Sequence, residues 1–380
     1  MAVVTIIGWY GTETIGDRGI LAGLISACAA AGGETLEINL GSLFPIYSER
    51  VLEEDIAFHC ECAGPRKLDV RVFDVLDCFA LREKIRRSDL LMMGGGPLMD
   101  LRELYVMQFA FMFAKTHHVK SVLGGCGWGP LSAEQYKKAA ARLVELADHV
   151  IFRDGISKAQ AIEYMGEAKT RKIVCGCDPA VLACRIFRQT RPVGERRGGY
   201  IAVNMRDLRI TGKDPDDVLP RRILENASRY PAEIRLVPMH SFYVGGDDRY
   251  YFHHLKHNVF RDELPLNIYD DPPSLPEVMG IYRAADFCIG MRFHSILFQL
   301  VLNGAVWAFD YTDPQTGKII GLLKWCGFSA GHADQYRSIQ RGDELGDFGT
   351  CAPRGFVLPD DKINAARAVF ISELEAALRE

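Results

Sequence analysis

The segment Gly290-Met-Arg292-Phe-His294-Ser295 ends one apolar run and opens a helical pattern, so Arg292 and His294 share a strand-to-helix junction. An Arg fork suits bidentate binding of a carboxylate or phosphate. A His exchanges protons near neutral pH, and the amides from Ser295 onward favour an anion at the helix start. The bland alternative is a helix start whose His is an ordinary core side chain. Downstream, Phe309-Asp-Tyr311-Thr-Asp-Pro-Gln-Thr-Gly-Lys318 brings a Lys to the turn after the next apolar run. It is either a second cation at the same edge or a solvated turn residue. In the first half, Phe152-Arg153-Asp154-Gly-Ile-Ser157 has the same form. Arg153 closes the strand and faces the ligand side, or pairs at the surface with Asp154; Asp154 or Ser157 caps the helix.

Three glycine-rich segments also stand at expected strand ends: Gly8-Trp-Tyr-Gly11-Thr-Glu-Thr-Ile-Gly16-Asp17, Gly94-Gly95-Gly96-Pro97 and Gly124-Gly-Cys-Gly127-Trp-Gly-Pro130. Glycines there admit close approach by a ligand or by a neighbouring helix. The first lacks the G-x-G-x-x-G dinucleotide spacing, and a plain turn with Asp17 as N-cap would also account for it. No metal site is expected. His59, Cys60 and Cys62, like Cys175 and Cys177, lack C-x-x-C spacing, and the adjacent pairs His117-His118 and His253-His254 do not share a helix face. Met239-His240 closes a strand near Gly245-Gly-Asp-Asp-Arg249, a loop that touches an acceptor or merely connects.

Positioning these residues requires an alternation of strands and helices. Strands are expected at 3–8, 35–40, 56–60, 90–93, 120–123, 150–153 and 172–175, with helices at 18–31, 73–87, 101–117, 133–147 and 156–165. After a Pro-, Gly- and charge-rich linker at 191–199, strands follow at 200–204, 234–238, 266–269, 287–290 and 305–309, with helices at 216–229, 249–258, 274–284, 293–302 and 319–326. Residues 361–378 form a last amphipathic helix. The pattern predicts an α/β fold of two facing Rossmann-like domains, 1–190 and 198–360, with helix 361–380 packing back on the first. Open α/β sheets bind ligands at strand C-terminal ends, which places the site in the cleft. Among the 380 residues, 45 basic against 49 acidic side chains give a net charge of −4. That argues against a general nucleic-acid binder. No run reaches the roughly 18 apolar residues of a membrane span, and MAVVTIIGWYG lacks the basic start of a signal peptide. Eleven cysteines, mostly single and within apolar runs, read as reduced thiols in a cytoplasm.

Taken in order, these segments resemble the polysaccharide pyruvyl transferase family: the Gly8–Asp17 loop, Gly94–Gly96, Gly125–Pro130, Arg153–Ser157, Asp178-Pro-Ala180, Arg292–Ser295 and the turn from Tyr311 to Lys318. The resemblance implies a glycosyltransferase-B-like fold, phosphoenolpyruvate as donor substrate with no further cofactor, and a pair of sugar hydroxyls as acceptor. The product would be a pyruvate ketal on a cell-envelope or exopolysaccharide glycan, or on its lipid-linked precursor at the inner face of the membrane, with at most peripheral membrane contact. The first domain would be the acceptor side and the second the donor side. Phosphoenolpyruvate carries a carboxylate and a phosphate of roughly −1.5 to −2 charge, so its site should offer several cations. Arg153, Arg292, Ser295 and Lys318 are the donor-binding candidates, with Lys324 the alternative lysine. His294 is the candidate general acid and Asp17 the candidate for the acceptor hydroxyl. Gly11, Gly95, Gly96 and Gly127 are the backbone contacts. A nucleotide-sugar glycosyltransferase and a non-catalytic glycan-binding module are the competing readings; a homo-oligomer is compatible with all three.

Overall fold

Strands built from Val, Ile, Leu and Met, such as Leu90–Gly94 with every residue buried, must lie in a sheet covered on both faces, and parallel pairing follows. The computed structural model describes residues 2–12, 14–191, 198–212, 214, 216–345 and 351–379. Its contacts divide the chain into two units. The first is Met1–Glu13, Asp17–Ile186 and Pro359–Glu380, and the second is Thr14–Gly16 and Phe187–Leu358. The expected linker at 191–199 falls largely on 192–197, outside the described residues.

The first unit holds β1 (Ala2–Ile7), β2 (Thr35–Ser42), β3 (Lys67–Asp74), β4 (Leu90–Gly94), β5 (Pro97–Leu98), β6 (Lys120–Trp128), β7 (His149–Phe152) and β8 (Ile173–Cys175). Their order is β3-β2-β1-β4-β6-β7-β8, with β5 on β6. Pairing is parallel, and Val4 lies level with both Ile38 and Leu90. The order reverses between β1 and β4, so the loops after these two strands flank a topological switch point. The helix Asp360–Arg379 belongs to this unit; it buries Ile363, Phe370 and Leu374, and His149 on β7 meets Glu373 at 2.7 Å.

The second unit holds β9 (Tyr200–Val203), β10 (Glu233–Leu236), β11 (Leu266–Ile268), β12 (Phe287–Gly290), β13 (Val306–Asp310) and β14 (Tyr336–Ser338). They too are parallel, in the order β11-β10-β9-β12-β13-β14. The switch point lies between β9 and β12. Two parallel-sheet α/β domains with a terminal helix are thus the architecture expected from the sequence.

Some elements differ from expectation. Residues 56–60 are not a strand but part of the helix Pro45–Ala63, whose buried face is Asp55, Phe58, His59 and Cys62; the apolar run is one helical stripe. Phe73 lies in β3, not in a helix, and the helix there is only Cys78–Arg86. β3 escapes a hydrophobic reading because it is a charged edge strand. The helix Ala180–Thr190 and β14 are additional.

Two helices of the first unit are joined by a buried ion pair. Arg18, 6% exposed, donates Nε to Asp55 at 2.5 Å and Nη2 at 2.7 Å. One turn on, His59 is buried with both ring nitrogens unpartnered. Burial, with Arg18 nearby and against the pull of Asp55, holds its imidazole down to about 4. Such a ring stays neutral in the fold while the unfolded chain protonates near 6.5, so stability is full above pH 6.5 and falls toward pH 4. Urea titrations of wild type and His59→Leu across that window should show the wild type losing about 3 kcal/mol more than the variant. Parallel pH profiles would contradict this.

Candidate functional site

The second sheet's switch point is where the chain collects positive charge. Arg206 follows β9, Arg292 follows β12, and Tyr311 follows β13. Tyr311 is 6% exposed. Arg206 donates Nη1 to its hydroxyl at 2.9 Å, with the guanidinium carbon 4.9 Å from the ring centroid. Lys318 Nζ lies 5.8 Å from the same centroid. Burial alone would raise the Tyr311 phenol, but Lys318, Arg206 and Arg292 outweigh it and bring the phenol down to about 8. Carboxylates shape the intervening turn. Asp310 accepts from Thr312 N at 2.7 Å, and Asp313 from Gln315 N at 2.9 Å and Thr316 N at 2.7 Å. Lys318 is thereby set at the first position of the helix Lys318–Cys326. Lys324 is exposed near that helix's other end, so Lys318 is the lysine that joins the cluster.

Arg292 is held rather than loose. Its Nε lies 3.0 Å from both oxygens of Asp248 and its Nη2 2.5 Å from Oδ1. Asp248, 1% exposed, also accepts from the amides of Met239 at 3.0 Å and His240 at 3.2 Å. Asn204, at the end of β9, donates to Val237 O at 3.0 Å and to Asp248 at 3.3 Å, while its Oδ1 accepts from Arg292 N. One buried carboxylate and one buried amide therefore tie the ends of β9, β10 and β12 together. His240 Nε2 must donate to Val244 O, 2.7 Å away, which leaves Nδ1 to accept from Thr14 Oγ1 at 2.9 Å. Burial, then Arg292, lowers the His240 pKa, consistent with this neutral tautomer.

His294 sits in the first turn of the helix Phe293–Leu302, with Phe293 edge-on at 5.0 Å between ring centroids and Phe298 at 6.3 Å. Gly16, grouped with this unit, is so close that a Cβ there would lie 2.0 Å from Nδ1. Ser295 is fully buried, and its hydroxyl donates to Arg292 O at 2.7 Å. Of the expected residues, Arg292, His294, Ser295 and Lys318 thus fall in the second unit. Sequence reasoning missed Arg206 and Tyr311 as cluster members, and Asp248 and Asn204 as their supports. Only the proximity of Arg206 to the end of β9 could have signalled it.

The remaining candidates belong to the first unit. Arg153 is 3% exposed, between Asp154 at 3.4 Å and Asp178 at 3.6 Å. Asp154, not Ser157, caps the next helix, accepting from Ser157 N at 2.7 Å. Asp17 is in the first turn of the helix Ile15–Ala31, not its N-cap. After burial, Asp17 is the largest influence raising the Tyr10 pKa. The glycines have protein neighbours. A Cβ would meet Ile20 at Gly95, Trp9 at Gly96, the Arg153 guanidinium at Gly127, and Ser42 and Phe44 at Gly11. Gly11, Gly95 and Gly96 also have positive φ, so close packing and left-handed backbone account for them without a ligand. Among the described residues, no group of three or more His, Cys, Asp or Glu is placed to hold a metal ion, and no helix is long and apolar enough to cross a membrane.

Two such parallel-sheet α/β units with a terminal helix define a GT-B-like fold. The chain is similar to the UDP-GlcNAc 2-epimerase of Methanocaldococcus jannaschii (TM-score 0.54, 11% identity, covering 100% of this chain and 99% of that one). It is also similar to a glycosyltransferase from Rickettsia africae (TM-score 0.50, 12% identity, covering 100% and 96%). At these identities the likeness shows the fold alone. The sequence profile of the polysaccharide pyruvyl transferase family matches residues 32–314, more than half of the chain, and the chain belongs to that family. The matched span includes Arg153, Arg206, Asp248, Arg292, His294 and Tyr311; Asp17 and Lys318 lie outside it. No curated protein matches the chain.

The Asp248–Arg292 pair yields a direct expectation. Asp248→Asn keeps the shape but leaves a partly buried guanidinium, 17% exposed, without its counter-charge, which costs about 3 kcal/mol. Urea unfolding should show that loss; an unchanged transition would mean that Asp248 is not what balances Arg292.

Proposed function

We propose that the protein transfers pyruvate from phosphoenolpyruvate to two hydroxyls of a sugar, forming a cyclic ketal and releasing phosphate. Family membership supports a transferase in polysaccharide pyruvylation. The observation that carries the donor assignment is the convergence of Arg206, Arg292 and Lys318 on Tyr311 at a sheet switch point. A small dianion with an adjacent carboxylate is the ligand class such a cluster suits. His294 is the proposed general acid. Its proton goes to the methylene carbon of the enol phosphate, making C2 cation-like. One sugar hydroxyl then adds through its oxygen to C2 and gives its proton back to His294; the second oxygen bonds to C2 as the C2–O bond to phosphate breaks, and phosphate leaves with that second hydroxyl's proton. Asp17 of the first unit is proposed to hold or deprotonate an acceptor hydroxyl. Arg153, held between two carboxylates, is assigned to shaping its unit rather than to the donor. The acceptor is proposed to be a cell-envelope or exopolysaccharide glycan or its lipid-linked precursor, handled in the cytoplasm. The eleven cysteines, mostly single and within apolar runs, support a reducing compartment.

With a suitable acceptor, the purified protein should consume phosphoenolpyruvate and release phosphate in equal amounts. His294→Ala should lower kcat by about 10²–10⁴-fold. Arg206→Ala and Lys318→Ala should each raise KM for phosphoenolpyruvate roughly 10–100-fold, the weight of a charge-assisted hydrogen bond. Wild-type turnover in all three variants would remove the site from this cluster. Thermal stabilisation by UDP-sugars but not by phosphoenolpyruvate would point instead to a nucleotide-sugar enzyme.

A further inference from the structure

We propose that Tyr311 is a positioning residue whose phenolic proton is coupled to anion binding: the phenolate and the bound dianion compete for the same three cations. The inference rests on the reading above in taking phosphoenolpyruvate as the principal probe.

The geometry is that of a phenol enclosed by positive charge. Arg206 reaches it from the segment after β9, donating directly to the hydroxyl. Arg292 acts from the start of the helix Phe293–Leu302, backed by Asp248. Lys318 lies over the ring from the start of its own helix. The nearest carboxylate along the chain, Asp310, is occupied by Thr312 and by the Tyr336 hydroxyl at 2.9 Å. On the remaining side Gln340 Nε2 donates to the Tyr311 carbonyl at 3.4 Å. The charges bearing on the hydroxyl are therefore chiefly cationic.

With the phenol neutral, Arg206 is oriented by one hydrogen bond and the cations keep their charge for a ligand. With the phenolate formed, one cation is neutralised internally and Arg206 is drawn to the phenolate oxygen. A dianion entering the cluster opposes ionisation, so ligand binding retains a proton or takes one up, and by linkage affinity falls as the phenol ionises. The phenol's depressed range, about 8, places this transition just above neutrality, where a phosphate monoester is already fully ionised.

The test is isothermal titration of wild type and Tyr311→Phe with phosphoenolpyruvate, and in parallel with inorganic phosphate, from pH 6.5 to 9.5. Each pH is run in two buffers of different ionisation heat. For wild type, Kd should be nearly level at the acid end and weaken above pH 8, approaching tenfold per pH unit, with uptake of up to one proton per ligand. Tyr311→Phe should bind several-fold more weakly at pH 7, through KM more than kcat, and lose the alkaline weakening. The two proteins should therefore converge or cross near pH 9. A wild-type slope retained in the variant, or a level wild-type profile, overturns the proposal. Binding of phosphate but not of phosphoenolpyruvate would defeat the donor reading while the phosphate profiles still decide the role of Tyr311. Binding of neither would defeat both.

Discussion

The charge cluster of the second sheet depends on one electrostatic constraint: positive charge gathered around a buried ring must be balanced from behind. Arg206 and Lys318 stand 4.9 and 5.8 Å from the same ring centroid, and like charges gathered in a partly desolvated site repel more strongly than in water. Asp248 supplies the balance. It is buried, it takes both ends of the Arg292 fork, and it is itself held by two backbone amides and Asn204. The same contacts join the ends of β9, β10 and β12, so the fold's switch point and the charge cluster are one construction. Tyr311, itself buried, accepts from Arg206 within the same cluster.

The first unit solves a different problem. Its glycine segments look in sequence like a ligand rim, yet each missing side chain makes room for another part of the chain. Gly95 receives Ile20, Gly96 receives Trp9, Gly127 receives Arg153, and Gly125 and Gly23 receive Pro179. Arg153 and Asp178 meet beneath this packing. Segments far apart in the chain, including the Arg-Asp and Asp-Pro-Ala motifs, are thus drawn into one buried knot that fixes the strand ends.

Legibility in the sequence follows the range of the interactions. Arg292, His294 and Ser295 can be read because their junction is local: an apolar strand, a glycine, then helical spacing. The parallel sheets are legible from apolar runs such as 90–93 and 287–290. Edge strand β3 is not, since alternating charges disguise it, and the run 56–60 misleads because its apolar side chains occupy one helical face. Asp248 is hidden for another reason: it stands 44 residues from Arg292 inside a loop-like Gly245-Gly-Asp-Asp-Arg249 stretch, and only folding joins them. Arg206 carries no motif of its own. Its role comes from sheet order, which places β9 next to β12.

The most direct measurement is a crystal structure of the full chain soaked with phosphoenolpyruvate. The expected result is the phosphate and carboxylate bound among Arg206, Arg292 and Lys318, beside the Tyr311 hydroxyl, with the methylene carbon within reach of His294. The ligand lodged on the first unit, or an unliganded cluster at saturating donor, would contradict the assignment of the second sheet's switch point as the donor site.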